Sequence, residues 1–137
     1  MRSICELIEG RKLYTIRETA SILEAAKLMV KHKIGALPVT NDEGNIIGIF
    51  TERDLLKRVV ATELDIKETK VSQVMTRKLV IASADETPMY CLRKMKEKKF
   101  RHMLIAEGKK IIGIVSQRDL TEVDLERKTK ALRSIDD

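Results

Sequence analysis

Two short phrases of this chain pair a hydroxyl residue with an aspartate three positions later: Thr51 with Asp54 in GIFTERDL, and Ser116 with Asp119 in GIVSQRDL. In each, a glycine-led apolar run ends at the hydroxyl, and the residues after it suit the start of a helix. A strand turning into a helix aims free backbone N–H groups and the positive end of the helix dipole at one spot, which suits a phosphate. The Thr51 and Ser116 hydroxyls stand at that spot as donors. Asp54 and Asp119 stand beside it, and a carboxylate accepts two hydrogen bonds from a diol such as that of ribose. The same spacing is also a helix capping box, with the hydroxyl as N-cap and the carboxylate reaching back to the cap N–H. A capping box prefers Glu or Gln at that place, so the choice of Asp in both copies leans toward a ligand, and one residue can serve both roles.

The elements that must position these groups are duplicated too. Upstream of the phrases, Met29, Leu37 and Val39 align with Met95, Met103 and Ile105, and the turn NDEGN of the first copy faces a shorter EGKK in the second. Each copy is a unit of roughly 60 residues. Hydrophobic periodicity predicts strand, helix, strand, turn, strand, helix in each. In the first copy these are a strand over 13–16, a helix capped by Thr19 with Ile22, Ala25, Ala26 and Met29 on one face, strands Ala36–Thr40 and Ile46–Thr51, and a helix over 52–62. In the second they are a strand over 79–82, a helix over 85–98, strands over 102–106 and Lys110–Ser116, and a last helix from Gln117 toward Arg133. The chain thus divides into a first repeat at 1–62, a linker and lead-in at 63–76, and a second repeat with its C-terminal helix at 77–137. Within the lead-in, Val71, Val74 and Met75 have the spacing of one helical turn docked on the core. Gly48 and Gly113 mark close approach of something to a strand, either a ligand or a facing sheet.

Composition narrows the classes of function. At 137 residues and 43% hydrophobic content the chain can bury a core, while half of it would be marginal. Its apolar runs are too short to cross a bilayer, and Arg2, Glu6 and Glu9 break the only early one, so a cytoplasmic protein without membrane contact is expected. Cys5 and Cys91 lie outside any CxxC or Cys/His spacing, which supports neither a metal site nor a disulfide framework. Cys91 aligns with Ala25 on an apolar helix face and reads as core packing. The net charge of +6 favours an anionic partner: nucleotide phosphates, nucleic acid or an acidic protein surface. Tyr14, Phe50, Tyr90 and Phe100 do not form a platform for stacking bases. The basic stretch over 93–101 reads as a solvated helix face, with Leu92 and Met95 inward and Lys94, Lys98 and Lys99 outward. No catalytic Ser-His-Asp set, GxxxxGK loop or metal-ligand cluster occurs, and His32 and His102 have no informative spacing, so an enzyme is not expected.

Four stretches taken together, AAKLMVKHKIGALPV, GIFTERDL, VSQVMT, and the run from KKFRHMLI to GIVSQRDL, resemble a tandem pair of cystathionine-β-synthase (CBS) domains, often called a Bateman module, over residues 4–121. The resemblance implies an α/β fold of two β-α-β-β-α repeats related by a pseudo-two-fold axis, their small sheets packed face to face with two clefts between them. It implies a sensor that reports nucleotide state to a regulated protein, and pairing of two modules into a homodimeric four-repeat disk. It implies no obligatory cofactor but an adenosine-containing ligand: AMP, ADP or ATP, with S-adenosylmethionine or NADH as further options. Carried onto this chain, Asp54 or Asp119 would contact ribose and Thr51 or Ser116 phosphate. The backbone of Thr15, Ile16, Gly35, Ala36, Leu37 and Pro38 would surround the base. The copies differ where Gly35-Ala36 becomes Arg101-His102, and these two side chains are suited to phosphate. Arg118, like Arg53, would reach phosphate or a partner module, although as a bare sequence feature it is only a surface charge at a helix start. The alternative is a basic nucleic-acid-binding or scaffold protein that uses the pair only to dimerise.

Overall fold

The computed structural model describes residues 3–136, with side-chain surroundings described as far as Arg133. The chain forms two compact units, one of them Tyr14–Leu79, the other combining the residues from Val80 onward with those up to Leu13. Among the described residues no helix is long and apolar enough to cross a membrane.

In the Tyr14–Leu79 unit, β1 (Ile16–Arg17), β2 (Ala36–Thr40) and β3 (Ile46–Thr51) form one sheet in that order. β1 runs parallel to β2, and β3 antiparallel to it. The alternation of ALPVT and IIGIF puts Leu37, Val39 and Phe50 into a core shared with Ile22, Ala25 and Met29 of α2 (Ile22–His32). The predicted cap of α2 is corrected: Ser21, not Thr19, is the N-cap. Ser21 has Glu24 three residues on, and its side chain and that of Glu24 complete the reciprocal capping box that Thr19, followed by Ile22, cannot form. At the other end of α2, His32 stacks on Tyr14 with ring centroids 3.7 Å apart. After β3 come α3 (Glu52–Asp54) and a wider π-helical continuation over Leu55–Val60, in which the Ala61 N–H bonds the Leu56 carbonyl at 3.0 Å. This replaces the regular helix expected over 52–62. The lead-in forms α4 (Val71–Val74), with Val71, Val74 and Met75 buried as their spacing predicted.

The other unit repeats the plan. β4 (Ile81–Ser83), β5 (His102–Glu107) and β6 (Lys110–Ser116) form a sheet of the same order and directions. Both sheets carry a register shift at the matching place, after Val39 in one and after Ile105 in the other. α5 (Pro88–Lys98) begins later than the expected residue 85, because Thr87 caps it and Pro88, which has no N–H to give, occupies the first turn. β1 and β4 likewise start later than the strands expected over 13–16 and 79–82. α6 (Gln117–Asp136) is regular, and Asp124 on it takes both Arg127 and Lys128.

The segment before Tyr14 packs with the second repeat, although its place in the chain put it in the first. Its helix α1 (Ile4–Ile8) carries in ICELI the apolar spacing of VSQVM, and buries Ile4 and Ile8 against Leu92, Met95, Met103 and Val115. Its first N–H groups are taken up outside the helix, Ile4 by the Glu86 carbonyl at 2.7 Å and Cys5 by that of Ala84 at 3.2 Å.

Cys91 lies in this core, fully buried. Burial pushes its thiol up to about 11, with Glu86 adding to the rise. Because the folded thiol holds its proton more tightly than the unfolded one, its contribution to stability is complete below the ordinary value of 9.0 and is lost as pH rises toward 11. In native protein at pH 8, a thiol reagent is expected to label Cys5, which is only half-buried, and to reach Cys91 only after unfolding. Two fast-reacting thiols in the folded protein would contradict this.

Candidate functional site

The two hydroxyl and aspartate pairs occupy equivalent strand-to-helix turns, yet their surroundings differ. At the end of β3 the extended backbone of Thr51 makes it the N-cap of α3. Thr51 Oγ1 accepts the Asp54 N–H at 3.2 Å, and Asp54 Oδ2 accepts the Thr51 N–H at 3.0 Å and its hydroxyl at 3.1 Å. The other oxygen, Oδ1, accepts the Thr76 hydroxyl at 3.0 Å and lies 3.6 Å from Arg58 Nε. Thr76 is held there by a two-way backbone pairing with Ile49 of β3. Asp54 is 5% exposed, and both of its oxygens are engaged. It ties together strand, helix and lead-in.

At the end of β6 the capping pair recurs, with the Ser116 N–H to Asp119 Oδ2 at 2.9 Å and the Asp119 N–H to Ser116 Oγ at 3.0 Å. Oδ2 also accepts Arg11 Nη1 at 3.2 Å. Among the described bonds nothing donates to Oδ1, and the Ser116 hydroxyl donates to no acceptor. The Asp119 side chain keeps 28% of its surface and Arg11 45%. This turn therefore offers an open acceptor, an open donor and a guanidinium with donors to spare, which the Asp54 turn does not.

The open cradle of N–H groups expected at each helix start is mostly filled. The Glu52 N–H bonds the Gly35 carbonyl at 3.0 Å, and the Gln117 N–H bonds that of Arg101 at 2.7 Å. With the Asp54 and Asp119 N–H groups spent on the caps, the Arg53 and Arg118 amides are what remains in these first turns among the described bonds. The cause is the hairpin: Ala36 lies directly opposite Thr51, and His102 opposite Ser116, so the start of each neighbouring strand delivers its carbonyl to the helix. Recognition of an anion here falls to side chains.

The expected residues are sorted by unit. Thr15, Ile16, Gly35, Ala36, Leu37 and Pro38 share a unit with Thr51 and Asp54, while Arg101, His102 and Arg118 share one with Ser116 and Asp119. Ala36, Leu37 and Pro38 are buried, Leu37 completely, while Gly35 before them is half-buried. Ile16 is buried and paired with Val39, while Thr15 is exposed. Arg101 is exposed, and Arg118 is exposed with its Nε 3.8 Å from Glu122. The approach at Gly48 and Gly113 comes from the lead-in segments of the same unit. A Cβ on Gly48 would lie 2.5 Å from Met75 Sδ and 3.0 Å from the Thr76 carbonyl, and one on Gly113 would lie 2.7 Å from Ile8 Cδ1.

Sequence reasoning missed Arg11, Arg58 and Thr76. Arg58 follows Asp54 by one helical turn, a spacing that signals an ion pair. Arg11-Lys12-Leu13 recurs as Arg77-Lys78-Leu79, which marked the end of each lead-in as part of the repeat.

The CBS domain model matches this chain twice, over residues 6–61 and 71–126. The chain belongs to the CBS domain family. Its two CBS repeats are 33% identical, over 76% of the chain, to the CBS domain-containing protein CBSCBSPB5 of Arabidopsis thaliana, of whose length they span 19%. Among solved structures, the CBS-domain containing protein ATU1752 from Agrobacterium tumefaciens is 34% identical with a TM-score of 0.81, covering 89% of this chain and 93% of that one. The CBS domain pair of protein MJ0100, solved in complex with 5′-methylthioadenosine and S-adenosyl-L-methionine, is 25% identical with a TM-score of 0.79, covering 91% and 97%.

Proposed function

We propose that this CBS pair is a regulatory module that binds an adenosine-containing ligand, with the Ser116 and Asp119 turn recognising the ribose. The observation that carries this reading is the unspent capacity of that turn among the described bonds: an acceptor on Asp119 Oδ1 and a donor on the Ser116 hydroxyl, in a half-buried turn where the Asp119 side chain keeps 28% of its surface. A ribose diol needs an acceptor for its hydroxyls, and Asp119 provides one without surrendering its cap. The adenosine ligands of the MJ0100 CBS pair support the same ligand class. Asp54 and Thr51 act chiefly as structural groups, and Arg101, just before β5, and His102, its first residue, are the phosphate partners beside the open turn. The exposed Leu56 and Val60, one helical turn apart, offer an apolar strip to a second copy of the module. The regulated protein would read the ligand-dependent state of such a pair.

Titration calorimetry with AMP, ADP, ATP, NADH and S-adenosylmethionine tests the reading. Saturable heat and a rise in Tm are expected with at least one of them, since a ligand that binds only the folded state stabilises it. Absence of heat and of thermal shift with all five would overturn the adenosine reading.

A further inference from the structure

Arg11 opens the repeated Arg-Lys-Leu at the end of a lead-in, and it is the only side chain outside the capping box that contacts Asp119 among the bonds described at this turn. It arrives from the segment after α1, which packs in the same unit as Ser116 and Asp119. Of its five N–H donors, one is drawn to Asp119 Oδ2 at 3.2 Å, and the side chain remains 45% exposed. A guanidinium pinned by one edge to a carboxylate presents its remaining donors in a fixed plane, an arrangement suited to a phosphate. Among the described residues the counterpart turn has no such group: Arg58 lies 3.6 Å from Asp54 but also donates from Nη1 to the Val74 and Met75 carbonyls, at 3.4 and 3.2 Å.

We infer that Arg11 is the specificity-determining residue of the Asp119 site, selecting adenosine ligands that carry a phosphate over those that are neutral or cationic at the 5′ position. The inference rests on the adenosine-binding role proposed for this turn. Asp119 and Ser116 recognise the ribose common to all such ligands. Arg11 adds attraction only for an anionic group, and repels the sulfonium of S-adenosylmethionine. Arg101 and Arg118, exposed on the same unit, reinforce the sign of the field without contacting Asp119 in the described bonds.

The test compares AMP with 5′-methylthioadenosine, which shares the base and ribose but has an uncharged methylthio group in place of the phosphate. In wild-type protein AMP is expected to bind more tightly, with an affinity that falls as salt is raised. Arg11→Gln is expected to weaken AMP about tenfold and to change 5′-methylthioadenosine by less than about threefold, as loss of one charge-assisted bond predicts. Arg11→Lys should retain part of the preference, and Asp119→Asn should weaken both ligands alike. Equal loss of both in Arg11→Gln, an unchanged ratio, or tighter binding of both would overturn the inference while leaving the adenosine reading in place. Failure of wild-type protein to bind either ligand, or any in the calorimetric panel, would instead remove the adenosine reading itself and this inference with it. Melting curves of each variant separate a binding effect from unfolding.

Discussion

Asp54→Ala is expected to lower stability by on the order of 3 kcal/mol, and Tm by roughly 10 °C, because it strips several buried or half-buried donors of their acceptor at once. The Thr51 N–H and hydroxyl and the Thr76 hydroxyl all point at that carboxylate, which is 5% exposed. Asp119→Ala is expected to cost only about 1 kcal/mol, the usual scale for loss of a helix cap, while adenosine-ligand affinity falls at least about tenfold. On the proposed reading, two aspartates with identical spacing would separate into a structural one and a ligand-binding one. Chemical denaturation and calorimetry on both variants check this. Matching losses of stability, or full ligand affinity in Asp119→Ala, would contradict the division.

Gly48→Ala is expected to destabilise by roughly 1–3 kcal/mol through overpacking. The added methyl would press on Met75 Sδ, which can swing aside, and on the Thr76 carbonyl 3.0 Å away, which is fixed by its pairing with Ile49. Met75→Ala alone opens a void in the core, with an expected loss of about 2–5 kcal/mol. The double variant should lose less than the sum, since each change relieves part of the other's strain or void. Additive losses in urea denaturation would show that the lead-in does not press on β3. The parallel change Gly113→Ala is expected to be milder, because the three atoms nearest to the added methyl all belong to the Ile8 side chain, whose tip can swing aside.

The strand bounds Ala36–Thr40, Ile46–Thr51 and Lys110–Ser116 were legible in the sequence because alternation and turn residues both mark them. Helix starts were less so. Thr19 and Ser21 are both good caps in isolation, and the reciprocal Glu24 decides between them. The late start of α5 was also available from Thr87 and Pro88, a local cap and first-turn signal that the start expected at 85 does not use. The π-helical stretch after Asp54 has no counterpart in the regular α6, although the two come after nearly identical phrases. The residues that follow differ, LLKRVV in one and LTEVDL in the other, but neither reads as π-helical from spacing alone.

By itself, the sequence determined the repeat, the α/β order of each copy, the CBS family and the capping pairs, since all of these depend on spacing between near neighbours. Only the tertiary structure decided what each aspartate is free to do. That depends on groups distant in the chain: Thr76 closes off Asp54 from 22 positions away, and Arg11 meets Asp119 across 108. A carboxylate's capacity to bind a ligand is what remains after its protein partners are satisfied, and those partners arrive through folding.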